Sequence, residues 1–90
     1  MEFEWDPVKA AANQRKHGVS FDEAATVFGD TLAITFPDPD HSVTEERLLT
    51  FGFSRENRLL VVSHTSRRPR IRIYSARRVS RRERKIYEEG

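Results

Sequence analysis

The chain has 90 residues, with 16 Lys and Arg against 14 Asp and Glu for a formal charge of +2, and it contains no cysteine. One domain over residues 1–90 with a modest core is therefore expected, stabilised by packing rather than by disulfides or thiolate-bound metal. No apolar run approaches the roughly 20 residues of a bilayer span, and the acidic start Met1-Glu2-Phe3-Glu4-Trp5-Asp6 lacks the basic and apolar regions of a secretory signal, so a soluble cytoplasmic protein is the expectation.

The small total charge conceals a strong asymmetry along the chain. Residues 67–90 hold ten Lys and Arg against three acids, a net +7, while residues 1–66 hold six against eleven, a net −5. Nine of those ten C-terminal cations are arginine, whose planar fork matches phosphate oxygens in a bidentate way. A polyanion, RNA or DNA above all, is the expected partner.

In chain order, Phe3 to Trp5 is a short strand candidate, closed by Asp6 as a helix cap and Pro7 in the first turn. The first helix runs to His17 and stops at Gly18; Lys9, Asn13, Lys16 and His17 share one polar stripe on it. Ser20-Phe21-Asp22-Glu23 reads as a capping box, with Glu23 reaching back, and opens a second helix that packs Phe21, Ala24, Ala25 and Phe28 and ends at Gly29.

The period then switches to alternation. Strands are expected around Leu32–Phe36, Arg47–Ser54, Arg58–Thr65 and Arg70–Ala76, the third apolar on both faces and so central. On the last, Arg70, Arg72 and Tyr74 fall on one face and Ile71 and Ile73 on the other. Ser80-Arg81-Arg82-Glu83 is a second capping box opening a final helix with Val79, Ile86 and part of Tyr87 on its buried stripe. The expected fold is thus α+β: an antiparallel meander with two N-terminal helices and one C-terminal helix packed against it. Part of one sheet face stays open, bearing Arg70, Arg72 and His64.

Cleaving RNA without a metal requires removing a 2′-hydroxyl proton, stabilising charge on the phosphorus oxygens and protonating the leaving 5′-oxygen. His17, His64, Lys9, Lys16, Tyr74 and Glu83 stand beside the arginines as candidates, and no spacing among them is diagnostic. Other readings stay open. The arginines from 77 to 84 can form a solvated helix face, His17 can simply favour the helix dipole, and Trp5 can be a packing residue. Ser63-His64 lies in a strand rather than a nucleophile elbow. Asp38, Asp40 and His41 suggest a metal site, although Pro37 and Pro39 account for a turn there.

Taken together, Phe3-Glu4-Trp5-Asp6 with Lys9 and Asn13, the block Lys16-His17-Gly18-Val19-Ser20-Phe21-Asp22-Glu23-Ala24, and Arg70-Ile71-Arg72-Ile73-Tyr74-Ser75-Ala76-Arg77-Arg78 followed by Arg81-Arg82-Glu83 closely resemble the BrnT toxin family. The resemblance implies a RelE-like fold and a small cytoplasmic endoribonuclease that needs no cofactor, the toxin half of a bacterial type II toxin-antitoxin module. It also implies a BrnA-like ribbon-helix-helix antitoxin that masks the toxin and through which alone operator DNA is bound. Lys16, His17, Arg72, Arg77 and Glu83 stand at motif positions and carry over as candidate catalytic residues; strand geometry adds His64. Arg70, Tyr74, Arg78, Arg81 and Lys9 are the expected RNA contacts. Two departures from the family pattern are Tyr74, where an aliphatic residue is common, and Arg67-Arg68-Pro69 in place of a glycine-containing turn. The competing reading is a non-enzymatic basic module for nucleic acid or a partner, including an inactive toxin kept as a co-repressor.

Overall fold

The computed structural model describes residues 1–39 and 46–89, so two members of the metal reading, Asp40 and His41, lie outside the described residues. Asp6 accepts the Val8 N–H at 2.8 Å while Pro7 stands where no donor is needed, and α1 (Pro7–His17) begins there. It stops at Gly18, whose φ of +69° is a left-handed conformation costly for a side chain and whose N–H meets the Gln14 carbonyl at 2.9 Å. Ser20 Oγ accepts the Glu23 N–H at 3.0 Å and opens α2 (Phe21–Thr26). The helix expected to run on to Gly29 instead tightens into a 3₁₀ turn, Val27–Gly29, closed by the Asp30 N–H on the Val27 carbonyl at 3.0 Å.

Strands β1 (Glu2–Glu4), β2 (Ile34–Pro37), β3 (Leu48–Phe53), β4 (Leu59–Arg67) and β5 (Arg70–Arg78) form one sheet in the order β1-β5-β4-β3-β2. From β2 to β5 it is the expected antiparallel meander. The sheet as a whole is mixed, however, because β1 lies parallel to β5, with Glu2 opposite Arg70 and Glu4 opposite Arg72. A strand separated from its neighbour by helices and a meander can return in the same direction, which a tight hairpin cannot do.

One irregularity decides which side chains share a face. Ser63 pairs with Ser75 but His64 pairs with Ile73, so Tyr74 is an extra residue in β5. Strict alternation would have placed Ala76 and Arg78 with Arg70 and Arg72. After the bulge it is Ser75 and Arg77 that join that face, opposite Ser63 and Val61, while Ala76 turns into the core with no exposure at all.

Val19, Phe21, Ala24 and Val27 from the helical layer meet Leu60, Val62, Ile73 and Ala76 of the sheet, with Phe3, Trp5 and Phe28 packed beside them. Trp5 stands edge-on to Phe21 at 5.9 Å, which makes it a core residue. Helix α3 (Arg81–Glu89) buries no residue fully and is held by few anchors. Here both halves of the capping box form, Glu83 N–H to Ser80 Oγ at 3.2 Å and Ser80 N–H to Glu83 Oε1 at 2.8 Å. Tyr87 lies edge-on to Phe53 at 5.8 Å, and its hydroxyl donates to Asp30 at 3.3 Å. Phe53 alternates with Phe51 and Leu49, so α3 flanks the face opposite α1 and α2.

Candidate functional site

The block from Lys16 to Ala24 contributes chiefly architecture. Gly18 ends one helix, Ser20 starts the next, and Val19, Phe21 and Ala24 are core. Glu23 does not close its capping box as expected: its buried carboxylate takes the Arg58 guanidinium and, at 2.7 Å, the Ser54 hydroxyl. Arg58, foremost, holds the Glu23 carboxyl below the usual carboxylate range, and Arg58 reaches the Gly18 carbonyl at 3.0 Å. The strand pair is thereby tied to the junction between the helices. Asn13, read as part of a polar stripe, is buried. Its amide bridges the Ala76 carbonyl (2.7 Å), the Val19 carbonyl (2.9 Å) and the Ala76 N–H (3.1 Å), satisfying the edge of β5 beyond the reach of β1.

On the opposite face, Lys9, Asp38, Arg47, Leu49, Ser63, Tyr74, Ser75 and Arg77 line a cleft of about 430 Å³. The Arg47 guanidinium stands 3.9 Å from the centre of the Tyr74 ring and Lys9 Nζ 5.8 Å from it, both within cation–π range. Two cations therefore stand over one aromatic ring, with Arg77 and the paired hydroxyls of Ser63 and Ser75 lining the same cleft. A larger cleft, about 680 Å³, runs past Phe3, Phe28 and Phe53 and gathers a single cation, Arg55, which suits it poorly to a phosphate.

The cationic segment is less bare than its composition suggests. Arg77 gives Glu83 a fork of two bonds, both 2.8 Å, Arg72 meets Glu4 at 3.0 Å and Arg70 meets Glu2 at 3.7 Å. The Arg77 bond, foremost, together with the Ser80 N–H pulls the Glu83 carboxyl down to about 2. A carboxylate that weak in basicity is poorly matched to proton abstraction near neutral pH.

The structure divides the expected site residues. Lys9, Tyr74 and Arg77 come together in the cleft, and Arg70 and Arg72 follow on the same face of β5. Lys16 and His17, at the end of α1, do not line it. Arg78 is turned by the bulge to the helix side, where its charge acts on Glu23, and Arg81 is exposed on α3. His64 requires a correction. Expected on the open face, it is 5% exposed within the core, edge-on to Phe28 at 4.8 Å and bonded through Nε2 to the Thr50 hydroxyl at 2.7 Å. Burial pushes its pKa down to about 4. The reason is register: His64 alternates with Leu60 and Val62, both fully buried. Arg47, in turn, was missed. It precedes β3 without any local motif, and only the pairing of β3 with β4 and β5 carries it to Tyr74.

Fold and cleft together define a small α+β protein that collects basic side chains around a phenol on one sheet face. The chain belongs to the family described as ribonuclease toxin, BrnT, of type II toxin-antitoxin system, which matches residues 5–83. Membership implies RNA as the target class and an antitoxin as partner. The 1.1 Å crystal structure of the Brucella abortus ribonuclease toxin, BrnT, resembles it with a TM-score of 0.70 at 23% sequence identity, covering 90% of this chain and 99% of that one. At that identity the likeness speaks for the fold. Among curated protein sequences none matches the chain. Among the described residues, no helix is long and apolar enough to cross a membrane.

Proposed function

We propose that this chain is a RelE-like endoribonuclease toxin of the bacterial cytoplasm, cleaving RNA without a metal in the cleft of Lys9, Arg47, Tyr74 and Arg77. A BrnA-like ribbon-helix-helix antitoxin would hold it inactive and supply the contact with operator DNA. The observation that carries the reading is the placing of Lys9 and Arg47 over the Tyr74 ring with Arg77 in the same cleft, on the sheet face away from the core. A base stacks on the Arg47–Tyr74 pair, which sets the adjoining phosphate beside Lys9 and Arg77. The 2′-oxygen attacks phosphorus and loses its proton, the bond to the 5′-oxygen breaks, and that oxygen takes up a proton. The products are a cyclic phosphate and a 5′-hydroxyl. Lys9 and Arg77 stabilise the charge that builds on the non-bridging oxygens. Glu83, with its carboxyl near 2, is a positioning residue that holds the Arg77 fork in plane.

The test is cleavage of end-labelled RNA by purified protein in the presence of a chelator, beside induced expression without antitoxin. Wild type should fragment RNA and arrest growth. Replacing exposed Lys9 by Met should lower the rate constant by about 10² to 10³, the scale for losing one charge-stabilising donor. Intact RNA and normal growth at high wild-type level would overturn the proposal in favour of the binding-module reading.

A further inference from the structure

A row of three side chains crosses the cleft face of the sheet, with Leu49 of β3 opposite Ser63 of β4 and Ser63 opposite Ser75 of β5. All three line the cleft of about 430 Å³. Ser75 is exposed, whereas Ser63 is only 8% exposed, a burial at which a hydroxyl is ordinarily bonded. Among the described residues neither hydroxyl has a hydrogen-bond partner, and the Leu49 side chain can offer none. Every fully enclosed side-chain donor or acceptor in those residues is satisfied, so the Ser63 hydroxyl must open into the cleft it lines.

The spacing of the pair suits one small polar group. Directly opposed residues on antiparallel strands hold their Cβ atoms about 4.5–5.5 Å apart, a gap that a single oxygen bridges at roughly 2.7–2.8 Å to each hydroxyl. Place along β5 decides which oxygen. Tyr74 precedes Ser75, and Arg77 follows two residues on, about 6.6 Å further along the strand. With a base on the Tyr74 ring and a phosphate at Arg77, the sugar joining them lies over the two serines. We infer that Ser63 and Ser75 form a ribose subsite that holds the 2′-hydroxyl of the nucleotide stacked on Tyr74, so that the cleft selects RNA over DNA. The inference rests on the proposed cleft. A 2′-hydroxyl both donates and accepts, as each serine does; one serine takes its proton in a hydrogen bond while the other donates to its oxygen. Deoxyribose offers neither bond. A phosphate or carboxylate would use only the donors of the pair, and Lys9 and Arg77 already supply stronger ones in the same cleft.

The experiment compares a six-nucleotide RNA with DNA of the same sequence. Each is tested with wild type, Ser75→Ala, the double variant Ser63→Ala, Ser75→Ala, and Ser75→Thr, which keeps the hydroxyl. KM for RNA cleavage and the inhibition constant of the DNA as competitor give the two affinities. Wild type should favour RNA by about tenfold, the scale of one or two neutral hydrogen bonds. In the double variant the RNA KM should rise by that factor with the DNA constant unchanged, so that the preference disappears; Ser75→Ala should lose part of it and Ser75→Thr should keep it. Equal weakening of RNA and DNA, a preference that survives the double variant, or a wild type that holds DNA as tightly as RNA would overturn the subsite. Should the double variant not fold, Ser75→Ala alone decides, because that side chain is exposed. If wild type does not cleave, the cleavage reading fails by itself, and the two affinities read by fluorescence anisotropy still decide the subsite.

Discussion

His64 should make this protein lose stability on mild acidification, before the lowered carboxyls of Glu23 and Glu83 respond. Its folded pKa is about 4 against an ordinary 6.5, because burial disfavours the imidazolium. The folded value lies below the unfolded one, so the unfolded chain binds the proton first. The contribution is fully present above about pH 6.5 and is lost as pH falls towards 4. For this pair of values the loss between pH 7 and pH 5 is about 2 kcal/mol, at ~1.36 kcal/mol per pKa unit. That is a sizeable part of the roughly 5–13 kcal/mol expected for a chain of this length. The window is well chosen, since Glu23 and Glu83, both lowered from 4.5, titrate beneath it. Urea unfolding of wild type and His64→Gln at pH 7, 6 and 5 checks the reasoning. The Gln amide can keep a bond to Thr50 but cannot titrate, so the two stability curves should converge by about 2 kcal/mol as pH falls. Parallel curves would show that His64 is neither desolvated nor neutral in the fold, and the core placement would have to be abandoned. In the proposed cleavage assay the same variant should keep most of the wild-type rate, because the His64 ring is buried and does not line the cleft.

Asn13→Ala should destabilise by about 3 kcal/mol in urea, since the Ala76 N–H and carbonyl lose their partners inside the protein. Asn13→Asp should be at least as harmful, because a carboxylate accepts from the N–H but repels both carbonyls. Glu83→Gln tests positioning against catalysis: a loss in kcat below about tenfold with an unshifted pH–rate profile is expected, whereas a general base would lose 10² or more. Gly52→Ala should cost about 1–3 kcal/mol by overpacking, because a Cβ there would lie 3.0 Å from both Ala33 Cβ and Val27 Cγ1; an unchanged melting temperature would refute the close packing of β3 on the 3₁₀ turn.

Local chemistry was legible in the residues alone. Asp6, Gly18, Ser20 and Ser80 end or begin helices through bonds within a few positions, so their short-range signals suffice. The charge imbalance, the central burial of β4 and the family likeness were equally readable. What the tertiary structure decided depends on partners far away in the chain. Asn13 reads as one polar residue among several until the unpaired edge of β5 is brought against it. Glu23 reads as a cap until Arg58 claims it. One inserted residue at Tyr74 puts Arg77 on the cleft face and Arg78 on the helix side, and the same pairing sends His64 into the core and brings Arg47 onto the phenol. A period-two pattern reverses with every added residue, and the place where a strand bulges is set by the strand beside it, which no local stretch of sequence contains.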